Sequence, residues 1–305
     1  MKHKAILIAI TLIAATATAI CHATETEKPE TEKLPNGGEV QFFTIASKSM
    51  EGREIKGGVI LPPQYFDESK ADEKFPVIYM THGYGQPWQH YSRLPYWRSP
   101  KYAEKPVIGV FFDGNQSSGN IFHLDTPDPQ MRYTSFFFDD LMPYVEKNFR
   151  VSDSRHLAGF SWGAFGAMHY ALTKPELFKT ITSAACGLNY SDKVDGREPH
   201  SLLVRLLTPH YGEFDPEKEE WAKISIYKRV GKALKDGVKL PAVLLLNGVD
   251  HAPDIANARS FVKYWEEPFK EKGQTLRSEE HPGAHDWPLL RDTFPIMMEH
   301  VWKNR

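Results

Sequence analysis

The sequence predicts an α/β fold with a mainly parallel central sheet covered by helices on both faces. Three observations carry that prediction. Short apolar runs at residues 76–80, 106–112 and 242–246 each end in a polar, glycine-bearing turn, as strands buried on both faces do. Segments with helical spacing lie along the chain between strands, and strands alternating with helices imply a mainly parallel sheet sandwiched between helical layers. Finally, Gly159, Ser161 and Gly163 form G-x-S-x-G between a short strand and a helix, where small neighbours permit a sharp turn that displays a hydroxyl.

The chain of 305 residues opens on Met1-Lys2-His3-Lys4, followed by an apolar stretch at 5–20 and a small-residue exit at Cys21-His22-Ala23. The stretch is too short and too lightly flanked for a membrane anchor and reads as an export signal over residues 1–23. Acylation of Cys21 is the alternative, disfavoured by the bulk of Ile20. Residues 24–38 are polar and proline-punctuated and read as a flexible linker. Residues 39–305 then form one large domain in a periplasmic or secreted protein. A formal net charge of −2 gives no reason to expect nucleic acid or an anionic membrane as partner. After processing only Cys186 remains, so no intramolecular disulfide is possible, and its SAACG context reads as a core thiol.

Along the domain, residues 40–45 and 56–61 read as an antiparallel hairpin, and 76–80 as a strand running into Thr81-His82-Gly83-Tyr84-Gly85. After the strand at 106–112, Phe138, Leu141, Met142, Val145 and Phe149 mark one buried helix face, with Pro143 implying a late start or a kink. A strand at 155–158 leads to Ser161, and the helix beyond runs to Pro175. A small-residue strand at 180–185 precedes a polar, insertion-like region that extends to Lys239. The strand at 242–246, a helix at 255–270, a strand at 276–280 and a helix after Trp287 complete the domain.

A serine hydroxyl becomes a useful nucleophile when a base takes its proton, and the base must itself be oriented. In this sheet type catalytic groups gather at the carboxyl ends of strands. Two loops there offer candidates: Asn247-Gly248-Val249-Asp250, and His281 to Trp287 (HPGAHDW). His285, in a glycine-bearing loop just before a helix, is favoured as base over His281 and His251. Asp250, directly after its strand, is favoured as the acid over Asp254, which reads as a helix cap. Oxyanion donors are expected at the backbone N–H groups of Trp162 and Tyr84, with His82 holding the turn. Trp88, Tyr91 and Trp287 are candidate substrate-binding rings, within an aromatic stretch that also includes Tyr96 and Trp97. No metal or cofactor motif stands out.

Taken together, the paired start ending in LPPQY, then PVIYMTHGYG, DDLMPYVEKNFRV, GFSWGAFGA and HPGAHDW resemble the esterase D or antigen 85-like branch of the α/β-hydrolases. That branch includes feruloyl and acetyl-xylan esterases and S-formylglutathione hydrolases. The resemblance runs from about residue 40 to the C-terminus and implies an α/β-hydrolase fold with Ser161 as nucleophile, His285 as base, and Tyr84 and Trp162 as oxyanion donors. NGVDHAPD matches the family's acid loop only with a small shift, leaving Asp250 and Asp254 both open, and Ala284 stands where a second glycine is common. The implied activity is an exported serine carboxylesterase removing acyl or hydroxycinnamoyl groups from carbohydrate. Acyl transfer to a sugar hydroxyl and a non-catalytic carbohydrate-binding relative are the alternatives.

Overall fold

The computed structural model describes residues 30–114, 123–185 and 188–305; the expected signal over 1–23 and Cys186 lie outside them. The described residues place nine strands in one sheet: β1 (Thr31–Lys33), β2 (Glu39–Ser47), β3 (Arg53–Leu61), β4 (Phe75–Thr81), β5 (Ile108–Phe112), β6 (Val151–Phe160), β7 (Thr180–Ala184), β8 (Ala242–Gly248) and β9 (Leu276–His281). Their spatial order is β1-β2-β3-β5-β4-β6-β7-β8-β9. Pairing is antiparallel from β1 through β5 and parallel from β5 to β9. The hairpin is therefore present, with Val40 opposite Ile60 and Ile45 opposite Ile55. Among the described residues no helix is long and apolar enough to cross a membrane.

Alternation along the central strands explains why they read as unbroken apolar runs. In β4, Val77 and Tyr79 join one buried cluster while Ile78 and Met80 join the other, and Val243/Leu245 and Leu244/Leu246 divide likewise in β8. Each strand thus feeds two cores, one on each face. On one face pack α4 (Trp162–Thr173) and α7 (Ile226–Lys235); α9 (Trp287–Lys303) packs on the other. A short α1 (Pro100–Glu104) precedes β5, and α2 (Tyr133–Ser135) leads into the segment before β6.

Three expectations change. The linker does not extend to residue 38: β1 pairs with β2, and Leu34 is buried in the second cluster. Leu34, the open edge of β2 and the Asn36 amide, which donates to Trp97 O at 2.8 Å and Ser99 O at 3.1 Å, together order this polar segment. The expected helix at 138–149 begins as a π-helical stretch, Phe136–Leu141, before α3 (Met142–Asn148). Pro143 has no N–H to donate, and the widened turn ahead of it accommodates that loss. The insertion-like region contains α5 (Ser201–Tyr211), α6 (Glu219–Ile224) and α7, whose Ile226, Val230 and Leu234 repeat every four residues and are buried. The polar residues between those positions concealed the repeat from an average over the segment.

β6 also starts earlier than expected, at Val151, because its polar half is satisfied internally. Buried His156 lies between two hydroxyls, with Nε2 3.0 Å from Ser154 Oγ and Nδ1 2.8 Å from Thr180 Oγ1. The carboxyl ends of β4 and β6 are neighbours, Thr81 pairing with Gly159, where consecutive connections leave in opposite directions. A crevice at such a reversal is where open α/β sheets place their ligands.

Candidate active site

Ser161 stands between β6 and α4 at φ 55° and ψ −119°, a backbone conformation costly for a residue with a side chain. Both sides of the residue are held: its N–H donates to Ala184 O at 2.9 Å, and its carbonyl accepts from Ala164 N at 2.9 Å. The motif glycines make the turn possible by close approach. A side chain starting at Gly159 would lie 2.2 Å from Gly163 O, and one at Gly163 would lie 1.9 Å from Thr81 O. Gly163→Ala is therefore expected to cost roughly 3 kcal/mol or more, read as a drop in the urea midpoint. An unchanged midpoint would mean that β4 and α4 are not in contact here.

Although Ser161 occupies the N-cap position of α4, its hydroxyl makes no capping bond. It faces His285 instead, Oγ lying 2.8 Å from Nε2. The other ring nitrogen, Nδ1, is 2.7 Å from Asp254 Oδ2. An ionised carboxylate only accepts, so Nδ1 carries the proton and bare Nε2 accepts from the serine hydroxyl. Phe160 packs edge-on against the imidazole at 5.3 Å.

The acid partner is a correction: the carboxylate on His285 is that of Asp254, not Asp250. Asp254 sits in the first turn of α8 (Ala252–Glu271), where the helix dipole favours negative charge, and its side chain is 3% exposed. It does not cap α8, whose N-cap is His251. Asp250 is exposed and bonded to the histidine loop: its carboxylate accepts from Gly283 N at 3.1 Å and its own N–H donates to Gly283 O at 2.9 Å. It thus fastens the loop carrying His285 without touching the imidazole. His281, the last residue of β9, turns to Glu279 at 3.2 Å. Ala284 has no positive φ, so the missing second glycine imposes no strain there.

The turn after β4 lies against the serine; a side chain begun at Gly83 would lie 3.2 Å from Ser161 Cβ. His82 locks that turn. Its Nε2 accepts from Gly114 N at 2.9 Å, so the ring proton is on Nδ1, which donates to Gly83 O at 2.8 Å. In a trans peptide the carbonyl and the following N–H point in opposite directions, so this bond also aims the Tyr84 N–H at the far edge of the plane. Burial lowers the His82 pKa, keeping the ring neutral. His123, which residue order alone did not single out, is behind it, with Nε2 donating to His82 O at 3.1 Å.

The expected substrate-binding rings separate. Tyr91 is buried and donates its hydroxyl to Thr81 O at 3.0 Å, so it braces β4 and is a correction. Trp88 packs against Phe42 and Phe111, with centroids 6.0 and 5.7 Å away, and is mainly a core lid. Tyr96 and Trp97 are buried. Trp287 remains half-buried two residues beyond His285, its ring 5.0 Å from that of His90. Tyr84 is 51% exposed and lies over Trp162 at 4.3 Å, giving the rim an aromatic surface.

Residues 47–301 match the family model described as "Putative esterase". The chain belongs to the esterase family. Esterase Rv1288 of Mycobacterium tuberculosis (strain ATCC 25618 / H37Rv) is 32% identical over 118 residues, which are 37% of this chain and 25% of that protein, so the match spans a quarter of the curated relative. Among solved structures, an S-formylglutathione hydrolase from Agrobacterium tumefaciens superimposes with TM-score 0.72 at 18% identity, covering 90% of this chain and 98% of its own. A ferulic acid esterase gives TM-score 0.65 at 18% identity, covering 87% and 98%. The esterase-family chain thus has an α/β-hydrolase fold, with the antiparallel hairpin added at one edge.

Proposed function

We propose that this esterase-family chain is an exported serine carboxylic-ester hydrolase that works through an acyl-enzyme on Ser161. The observation that carries the reading is the continuous hydrogen-bonded chain Ser161–His285–Asp254, at 2.8 and 2.7 Å. His285 Nε2 takes the hydroxyl proton as Oγ attacks the ester carbonyl, and Asp254 stabilises the resulting imidazolium. The oxyanion forms beside the N–H groups of Tyr84 and Trp162, the latter at the first position of α4, where the helix dipole adds positive potential. His285 then protonates the departing alcohol, and water repeats the sequence to release the acid.

The substrate class is an acyl or hydroxycinnamoyl ester carried by carbohydrate. Exposed Tyr84 and half-buried Trp287 offer flat apolar faces of the kind that stack on sugars or aromatic acids. Similarity in fold to a ferulic acid esterase supports the same direction, and the pattern of residues 1–23 supports a periplasmic or secreted location.

A fluorophosphonate probe should label the purified protein once, on the peptide containing Ser161, and methyl ferulate or acetylated xylan should yield free acid with or without added sugar. Ser161→Ala should lose both labelling and hydrolysis. Hydrolysis that persists in that variant would refute the reaction; acyl groups appearing on the added sugar would make it a transfer.

A further inference from the structure

The carboxylate that orients His285 also faces a second imidazole. His251 Nδ1 lies 3.0 Å from Asp254 Oδ2, the same oxygen that accepts from His285. Oδ2 accepts the His285 N–H, and the buried His251 Nδ1 makes no hydrogen bond. His251 and Asp254 are three residues apart at the start of α8 and share a face, while His285 arrives from the loop after β9. The two rings are 5.0 Å apart at 59°. One donor atom from each of the three residues lies within 4.8 Å of the others.

We propose that His251, Asp254 and His285 form an inhibitory site for a borderline divalent cation of the zinc type. Two imidazoles and one carboxylate suit zinc or copper, whereas magnesium and calcium prefer all-oxygen shells. Tetrahedral zinc at about 2.0–2.1 Å from its donors sets them about 3.3 Å apart. The imidazole nitrogens, at 2.7 and 3.0 Å from Asp254 Oδ2, therefore move outward from it, while the two nitrogens, within 4.8 Å of each other, close in to that same spacing. Both have room to do so, with side chains 37% exposed for His251 and 27% for His285, while Asp254 at 3% provides the rigid floor. The open side of such a three-ligand site would be closed by water.

Bound zinc takes the lone pair of His285 Nδ1. The proton formerly there moves through solvent exchange to Nε2, so the imidazole stays neutral and no net proton is lost. Ser161 then faces a donor in place of an acceptor, and the base is gone. The consequence rests on the proposed serine mechanism; the metal site itself does not.

The test titrates zinc chloride into the full chain and into His251→Phe and His251→Gln, reading hydrolysis of a short-chain nitrophenyl ester and, separately, zinc binding by calorimetry. Each protein is compared with itself before and after zinc, so changes in basal rate cancel. Expected are one zinc site in the parent, inhibition reversed by a chelator, no effect of magnesium chloride, and zinc affinity at least roughly tenfold weaker in both variants. Equal zinc sensitivity in parent and variants, or no one-site binding to the parent, would overturn the proposal. Zinc binding lost with His251 in a protein without esterase activity would keep the site and remove the serine mechanism. Circular dichroism of both variants establishes that they are folded.

Discussion

Asp254→Asn is expected to lower kcat by about 10⁴-fold with little change in KM, because an amide can present its NH₂ to His285 Nδ1 and stabilise the wrong tautomer. The proton then sits on Nε2, and Ser161 loses its acceptor. The substitution is nearly isosteric, so the buried position at the start of α8 stays filled and folding is preserved. Asp250→Asn should behave quite differently. Its carboxylate holds the Gly283 N–H at 3.1 Å on an exposed loop. The amide oxygen of asparagine can still accept from that N–H, so no more than the bond's own worth of about 1 kcal/mol is at stake, a factor of at most roughly five in rate. Steady-state kinetics on both variants with one nitrophenyl ester distinguishes the two carboxylates. Comparable losses, or a larger one in Asp250→Asn, would contradict the hydrogen-bonding pattern around His285.

The stability of the fold is expected to fall steeply on mild acidification. Burial lowers the pKa of His123 to about 3, helped by neighbouring His82, and burial lowers that of His156 to about 3 as well, helped by His300 and Lys179. In the unfolded chain each returns to an ordinary value near 6.5. Between those limits the unfolded chain binds more protons, so acid favours unfolding. The stabilisation is complete above about pH 6.5 and is lost progressively as pH falls towards 3. By pH 5 each ring accounts for about 2 kcal/mol. His82, His169 and His300 are shifted the same way by burial. Urea unfolding at pH 7, 6 and 5 should show a falling midpoint, with a shallower fall in His156→Gln. A midpoint constant from pH 7 to 5 would mean that these rings are not buried neutral in the folded protein.

Much of this arrangement was legible in the residues because it depends on local pattern. G-x-S-x-G announces a strand–turn–helix whatever surrounds it, since only glycine fits at 159 and 163 against Thr81 and Gly163. His285 was marked by a glycine-bearing loop before a helix. The unbroken apolar runs of β4, β5 and β8 recorded burial on both faces. Serine, acid and histidine also occurred in the chain order such a sheet uses.

Choosing between two aspartates four residues apart lay beyond any such pattern, because adjacency to the strand end favoured Asp250. What decides it is three-dimensional: α8 turns the Asp254 carboxylate inward under His285, while Asp250 meets the backbone of Gly283. The aromatic stretch after β4 posed the same difficulty, since composition cannot tell a ring that braces from one that faces solvent, and the fold buries Tyr91 while exposing Tyr84. The convergence of His251 on Asp254 and His285 was equally invisible, as one partner is more than thirty residues away. Local sequence thus determined which elements form and which hydroxyl is displayed; which carboxylate and which rings reach that hydroxyl depended on how distant elements pack, and that is settled by the whole core at once.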